Sequence, residues 1–538
     1  MNGSLNSKDR PETCLYKMMY VFIIISVICL CCNVVEAGLR PASTTTTIYI
    51  NDKTGNDKYP GTIKKPLKTI SEVNKRFQKK PASLYFAGGQ VFEGNLMLQD
   101  KKDSEKDTIV IGSYGGGRAS INGGDNEAVR IEKCDYFRIE NIDLKGSGRL
   151  NGNTTDGISL TRSTNFSIEN VRTEGFQKSG VYLYDCRQAV VKNVFAFNNG
   201  FCGINIMGSE RGLSGKILIQ DCRAENNPGD PTILDNHSGN GILVGVTDSV
   251  IIDHCTATNN GWDMPRLGNG PVGIWAWESD HVLIQYCISY RNKTSNGGKD
   301  GGGFDFDGGV TNSILQYCLS YENQGAGYGL FQYPGASDWS NNIIRYCVSI
   351  DDAHTTEGAG SFFIWNGSGE SRQLTNCYIY NNVAYNSSAP VISFENASKH
   401  ENFIFGNNIF IGTGQMIDGK NKGSMFLGNV WWGSGEKIKF MDHNNLSEWA
   451  AATGQETLKG LIVGCQVDPG LKGPFLTDIT DPYMLNALTG YTLFPDTHIK
   501  NRGLDTKTFF VTDLPERDFY GNPVPLGPGR EPGIHEIE

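Results

Sequence analysis

An all-β chain wound as a right-handed parallel β-helix, a solenoid of about ten or more coils with short N- and C-terminal caps, is the fold class this sequence predicts. Three observations predict it. Six cysteines close one short pattern, an apolar residue three places before Cys: Ile219 and Cys222, Ile252 and Cys255, Ile284 and Cys287, Leu315 and Cys318, Ile344 and Cys347, Leu374 and Cys377. Their period is about 30 residues, the length of one supersecondary unit in a repeat protein. A glycine followed by an apolar residue recurs ahead of them, at Gly157-Ile158, Gly180-Val181, Gly203-Ile204, Gly241-Ile242, Gly273-Ile274, Gly303-Phe304 and Gly329-Leu330. Between these marks lie short alternating strands such as Val191 to Phe197 and Ile251 to Thr258, each ended by Asn-Asn, and no helical period intervenes. A propeller blade needs about 40 to 50 residues and a leucine-rich repeat a regular Leu/Asn pattern, so stacked β-coils fit better.

Composition agrees. The 538 residues are 38% hydrophobic and 20% charged, a globular balance, and the 66 glycines follow no triplet period, which excludes collagen. Against 58 acidic residues stand 48 basic ones, and the net charge of -10 repels polyphosphate, so nucleic acid is not expected as a partner. Lys8, Arg10 and Lys17 precede an apolar run from Met18 to Cys32, and Val35-Glu36-Ala37 suits cleavage before Gly38. The run is too short for the roughly 20 residues of a membrane span, so a signal peptide over 1–37 and a secreted or periplasmic protein without stable membrane insertion are expected. The remaining divisions are 38–128, an N-terminal cap and first coils; 129–410, a central β-helix with a substrate groove; and 411–538, C-terminal coils and a cap. Within the last, a short helix over 447–453 is expected, capped by Ser447 or Asn445. In an exported chain the Asn-x-Ser/Thr sites at Asn153, Asn165, Asn236, Asn292, Asn366, Asn386, Asn396 and Asn445 are candidate glycan acceptors.

The cysteine ladder has two readings. Stacked residues of adjacent coils, about 4.8 Å apart, are within disulfide range. The better reading is a column of small apolar fillers, because earlier coils place Val171 and Val194 at the same inward position. Along the ladder no Cys-x-x-Cys or nearby His pair closes a tetrahedral metal set.

Ile48-Tyr49-Ile50-Asn51, Gly55-Asn56-Asp57, Pro60-Gly61-Thr62, Lys65-Pro66-Leu67 and Thr69-Ile70 resemble the first segment of pectate-lyase-like right-handed β-helix proteins. Ser447 to Gly454 and Asp518-Phe519-Tyr520-Gly521-Asn522-Pro523 are similar to secreted carbohydrate-active members. The resemblance implies the fold. It leaves the reaction open among polysaccharide lyases, glycoside hydrolases, epimerases and binding proteins.

The site is read from strand alternation. If the apolar residues after each glycine point inward, the second and fourth positions point out. Those outward pairs are Ser159 and Thr161, Tyr182 and Tyr184, Asn205 and Met207, Leu243 and Gly245, Trp275 and Trp277, Asp305 and Asp307, Phe331 and Tyr333, then Phe363 and Trp365 after a one-residue slip. Flat apolar faces at Tyr182, Tyr184, Trp275, Trp277, Phe331, Tyr333 and Trp365, with two carboxylates among them, suit a sugar chain.

Asp305 and Asp307 admit three readings. They share Ca²⁺ with Asp300 or Glu278, in the manner of a calcium-dependent lyase; they are the acid and the nucleophile or base of a glycosidase; or they pair with Lys299 and Arg266 as structure. Loops before the outward strands add Lys299, His354 and Tyr328 as candidate bases and Arg266 as neutraliser for β-elimination at a uronate, where the proton next to the carboxylate must be made acidic. Some lyases that this chain resembles carry their base lysine just after the glycine-phenylalanine pair. Here Gly303-Phe304-Asp305-Phe306-Asp307 has none. The expectation is therefore a monomeric, secreted lyase cleaving a uronic-acid-containing cell-wall polysaccharide or oligosaccharide, or removing water from a terminal uronate, with Ca²⁺ as cofactor and Asp300, Asp305 and Asp307 as its ligands. A glycoside hydrolase using the paired aspartates and a non-catalytic carbohydrate-binding β-helix are the alternatives.

Overall fold

The computed structural model describes residues 46–102, 104–395, 399–421, 423–509 and 515–538; the expected signal peptide and the Asn396 site lie outside them. The chain climbs through successive coils, each contributing a strand to every wall of a parallel β-helix. One wall is a 13-stranded sheet running in chain order from Leu96–Gln99 to Lys439–Phe440, with each strand paired to those of the coils before and after. Its central strands are Ile158–Thr161, Ser179–Tyr184, Cys202–Met207, Asn240–Gly245, Val272–Trp277, Gly302–Phe306, Tyr328–Gln332 and Phe362–Asn366. The other two walls belong to one 25-stranded sheet. They are continuous where Asp135–Gly146, Thr164–Glu174 and Arg187–Phe197 turn the corner as single strands.

The next corner, after Phe197, Glu225 and Thr258 and before the 13-stranded wall, explains the Asn-Asn signature. The first residue of each pair takes the left-handed conformation that turns the chain, as at Asn198 (φ 55°), Asn226 (φ 54°) and Asn259 (φ 54°), a region asparagine tolerates better than most residues. The second points inward and stacks. Asn260 Nδ2 donates to Asn292 Oδ1 at 2.9 Å, and Asn260 Oδ1 accepts from the Asn227 backbone N–H and Nδ2 at 3.0 and 2.8 Å. The column runs Asn199, Asn227, Asn260, Asn292, Asn323, Asp352, so each buried corner N–H is answered by the next coil.

Apolar columns fill the interior. On the 13-stranded wall one column is Ile158, Val181, Ile204, Ile242, Ile274, Phe304, Tyr328, Phe362 and Ile392, all essentially inaccessible. At about 1.5–3 kcal/mol for each large side chain buried, such columns supply the cohesion between coils. Cysteines 222, 255, 287, 318 and 347 extend the Val171–Val194 column as buried free thiols, and burial raises the first four well above the usual thiol range. The repeat reading over-extends by one. Cys377 pairs in register with Asn342 and Phe403, on a different wall, and the position after Cys347 is taken by Asn382, whose Oδ1 accepts from the Cys347 N–H at 2.9 Å.

At the N-terminal end the helix Ile70–Lys79, capped by Thr69, lays Ile70, Val73 and Phe77 over the open core. Near the other end the helix Leu446–Thr453 is capped by Asn445, whose side chain accepts from the Glu448 N–H, and ends at left-handed Gly454. After Cys465–Gln466 the chain turns back along the outside of the solenoid: Tyr321 and Tyr317 hydroxyls donate to the carbonyls of Ile479 and Arg517, and Tyr483 donates to Asp221. Four of the candidate glycan sites are structural instead, since Asn153, Asn292, Asn366 and Asn386 are at most 2% exposed. Among the described residues no helix is long and apolar enough to cross a membrane.

Candidate active site

The outward face of the 13-stranded wall carries the carboxyl pair. Its register places Asp305 beside Trp275 of the coil before and Gly329 of the coil after. In the adjacent outward column, Trp277 belongs to the coil before Asp307, and Phe331 and Trp365 pair beyond it. Sequence alternation pairs Gly303 with Gly329, whereas the structure stacks Gly303 on Gly327. The shift of two preserves inside and outside but changes neighbours. Asp305 faces a position with no side chain, and the Phe331 ring folds back over it. A Cβ built on Gly329 would stand 2.8 Å from that ring and 3.1 Å from Asp305 Oδ1.

Asp305 is 3% exposed, and its Oδ1 has no hydrogen-bond partner. It lines a narrow niche of about 10 Å³ with Asp300, Gly329, Phe331, Thr356 and Phe363, room for one water at most. Burial first, and then the neighbouring Asp307 and Asp300, hold its carboxyl well above the ordinary range. Asp307, whose Oδ1 accepts from the Gly308 N–H at 2.7 Å, is pushed up to about 7 by burial, opposed by that bond and reinforced by Asp300 and Glu278. Asp300 Oδ2 accepts from the Gly270 N–H at 2.7 Å; burial lifts it to about 6 against the pull of that bond and of Lys299 and Arg266. Taking carboxylates out of water without an opposite charge favours the protonated form, and no ion pair reaches Asp305 or Asp307 among the described residues. The charge-network reading, with Lys299 and Arg266 as their partners, is therefore corrected.

Glu278, at the end of the Trp277 strand, closes one edge. Its Oε2 pairs with Arg211 at 3.0 Å, and its Oε1 accepts from the Ser337 N–H at 2.7 Å and the Tyr333 hydroxyl at 3.3 Å. Tyr333 thereby arches over Gly308, where any side chain would strike its ring. Tyr182 and Tyr184 lie half-buried at the other end, ring centres 6.1 Å apart. Between them and the acids, Trp277 lays its indole edge by Gly245; beyond the acids, Phe363 and Trp365 pack edge-on to Phe331.

Three predicted site residues stand elsewhere. Tyr328 begins its strand and points inward, stacked between Phe304 and Phe362, with its hydroxyl against the Cys318 and Val348 carbonyls at 3.0 and 2.9 Å; it is core and no base. Trp275 is 4% exposed, roofed by His237, whose ring centre is 4.8 Å away, and hydrogen-bonded to Asn240 at 3.1 Å. The long insertion of the preceding coil makes this outward residue a second small core with Cys202, Leu243 and Val272. His354 lines a separate open cavity of about 630 Å³ with Tyr290, Arg291, Lys293 and Asp351. Lys299 is exposed and Arg266 half-buried, and both act on Asp300.

Calcium on Asp300, Asp305 and Asp307 does not fit. These carboxylates do not each bring an oxygen within 4.8 Å of the others, and the described residues hold one group that does, Asp248, Asp280 and His281. A Ca²⁺ ion takes six to eight oxygens from ionised or carbonyl donors, whereas the niche around Asp305 is sealed by phenyl rings. In the other group His281 is already a cation, raised to about 9 by its bonds to Asp248 and Asp280.

Residues 117–278 and 156–373 match the family model described as the right handed beta helix region. No curated protein matches the sequence. Among solved structures the chain is similar to a GH136 lacto-N-biosidase from Eubacterium ramulus (16% identity, 67% of each chain, TM-score 0.47) and to the mannuronan C-5 epimerase AlgE6 A-module of Azotobacter vinelandii (15%, 67% of this chain and 94% of that one, 0.48). It is also similar to pectate lyase Pel9A (11%, 92% and 98%, 0.41). The family match covers the coils that carry the carboxyl pair, and the chain folds as a right-handed parallel β-helix.

Proposed function

We propose that the chain is a carbohydrate-active enzyme that hydrolyses a glycosidic bond, with Asp305 and Asp307 as its acid and base. One observation carries this reading: two carboxyl groups on one outward strand, in an aromatic wall, both raised above the usual carboxylate range, with Asp305 buried and Asp307 partly open to solvent. Environments that separate the proton affinities of two neighbouring carboxyls assign an acid and a base. Asp305, the more deeply buried, keeps its proton and donates it to the leaving oxygen. Asp307, near 7, ionises at neutral pH and acts as base or nucleophile. Asp305 is sealed by the Phe331 ring, so substrate enters as that ring swings off Gly329, a rotation at the free end of a side chain.

Elimination at a uronate is the second reading, favoured by Arg266 and Lys299 beside Asp300, where they would neutralise a carboxylate and supply a base. It loses Tyr328 to the core and His354 to another cavity. The leader-like residues 1–37 support action outside the cytoplasm, on a polysaccharide or oligosaccharide. The test incubates purified protein with neutral and uronate glycans and follows both reducing ends and the ultraviolet absorbance of unsaturated uronates. New reducing ends without absorbance support hydrolysis. An absorbance rise replaces it with elimination, and neither signal with any glycan retires the enzyme reading.

A further inference from the structure

We infer that the sugar chain taken by this face is uncharged, a neutral hexose or pentose oligosaccharide and not a polyuronate; this rests on the carbohydrate-active reading of the same site.

Charge is the first ground. Asp300, Asp305, Asp307 and Glu278 gather on one stretch of the wall, close enough for each of the first three to raise the others' hold on a proton or to have it raised by them. A uronate residue laid here would bring another carboxylate into surroundings that already disfavour ionisation, with few cations to receive it. Several basic residues near the face are already committed. Arg211 binds Glu278 Oε2 and the Gly309 carbonyl. Lys178 pairs at 2.5 Å with the fully buried Asp230, and Arg149 with Asp263. Arg266 and Lys299 remain at the Asp300 end, and Arg130 stands exposed in the same outward column two coils before Tyr182, so beside the carboxyl pair itself a polyuronate would find at most one subsite balanced. The chain's net charge of -10 adds a long-range field of the same sign.

Hydrogen bonding is the second ground. Three buried polar atoms on this face lack partners, Asn205 Oδ1, Asp305 Oδ1 and Trp277 Nε1; the first two occupy one outward column, three coils apart, and the third the column beside it. Acceptors and donors left unpaired on one face need a ligand group that both donates and accepts. Hydroxyls do both, and a neutral hexose carries one at the carbon where a uronate carries a carboxylate that can only accept. The half-buried Tyr182, Tyr184, Trp277, Phe363 and Trp365 supply apolar faces that need no charge in their ligand.

The test separates binding from cleavage. The full chain carrying Asp307→Asn, inactive under the proposed mechanism, is titrated calorimetrically with xylo-, cello-, manno- and galacto-oligosaccharides and with oligogalacturonate and oligomannuronate of matched length, at low and high salt. The substitution removes one repelling charge and so works against the expectation. At least one neutral probe is expected to bind about tenfold or more tightly than either uronate, and uronate binding is expected to strengthen with salt as repulsion is screened. Uronate binding equal to or tighter than the best neutral probe, uronate binding that weakens with salt, or no binding of any neutral probe overturns the inference. Cleavage by the unsubstituted protein is scored apart: a neutral probe bound but not cut retires the hydrolase reading and leaves this one standing.

Discussion

Replacing Asp307 with asparagine is expected to make the protein more stable and inactive. Asp307 rises from 3.8 to about 7 in the folded protein, about 3 pH units, and each unit is worth about 1.36 kcal/mol, for a ceiling of about 4 kcal/mol. Solvent reaches part of the side chain, which reduces the expected gain to about 1–2 kcal/mol. The sign follows from proton binding: between about 4 and 7 the folded state holds the proton that the unfolded chain releases, so stability falls as pH rises through that window. Asparagine does not ionise, and its Oδ1 can still accept from Gly308 N–H. The variant should therefore match the parent at pH 4 and exceed it at pH 8, raising the thermal midpoint by roughly 1–3 °C there, while hydrolysis falls by about 10²-fold or more. Thermal unfolding across pH 4–8, with reducing-end release at each pH, tests both halves. A variant less stable than the parent at pH 8 would mean that Asp307 has a favourable charge partner, and the assignment of the pair as acid and base would fail.

Four further outcomes are expected. Gly329→Ala places a methyl 2.8 Å from the Phe331 ring; displacing that ring should cost about 1–3 kcal/mol in urea unfolding and alter activity. Tyr328→Phe removes a hydroxyl held by two core carbonyls and should cost about 1 kcal/mol with turnover unchanged; abolished turnover would restore Tyr328 as a base. Asn260→Ala strips the acceptor from the Asn227 N–H and side chain, for a loss of about 2–3 kcal/mol by urea unfolding. Among the described cysteines, thiol labelling of the native protein should reach the partly exposed Cys465 first and spare the buried column at Cys222, Cys255, Cys287, Cys318 and Cys347 until denaturant is added, with no disulfide among them released on reduction.

The repeat is legible in the sequence because inward columns tolerate only small or apolar residues, so their spacing survives as Ile-x-x-Cys and Gly-Ile. What spacing does not carry is the identity of a residue's neighbour in the next coil. Gly327 and Gly329 both precede bulky residues and share parity; only the fit of Tyr328 between Phe304 and Phe362 selects the first. The same limit misplaces Cys377, which keeps the period but sits on another wall. Alternation correctly turns Trp275 outward, yet a loop from the preceding coil roofs it with His237. Asp305 and Asp307 emerge from the sequence because acids in an aromatic stripe are conspicuous. Their lack of a cation partner is a property of the assembled coils.

That lack is affordable because of how the solenoid is held together. Each coil is bound to its neighbours by inward side chains and by the Asn column, both continuous through the region of the acids: Phe304 and Phe306 lie in the core on either side of Asp305, and Asn292 and Asn323 bracket the same coil. In a solenoid, stability is nearly a sum over such nearest-neighbour interfaces, so a local cost of a few kcal/mol at Asp305 and Asp307 is absorbed without loosening distant coils. The outward columns are correspondingly free to change chemistry from one coil to the next, from Tyr182 to Asn205, Leu243, Trp275, Asp305 and Gly329. A pair of reluctant carboxylates on a rigid strand, with the cost borne by its neighbours, is the arrangement expected where proton transfer is selected over stability.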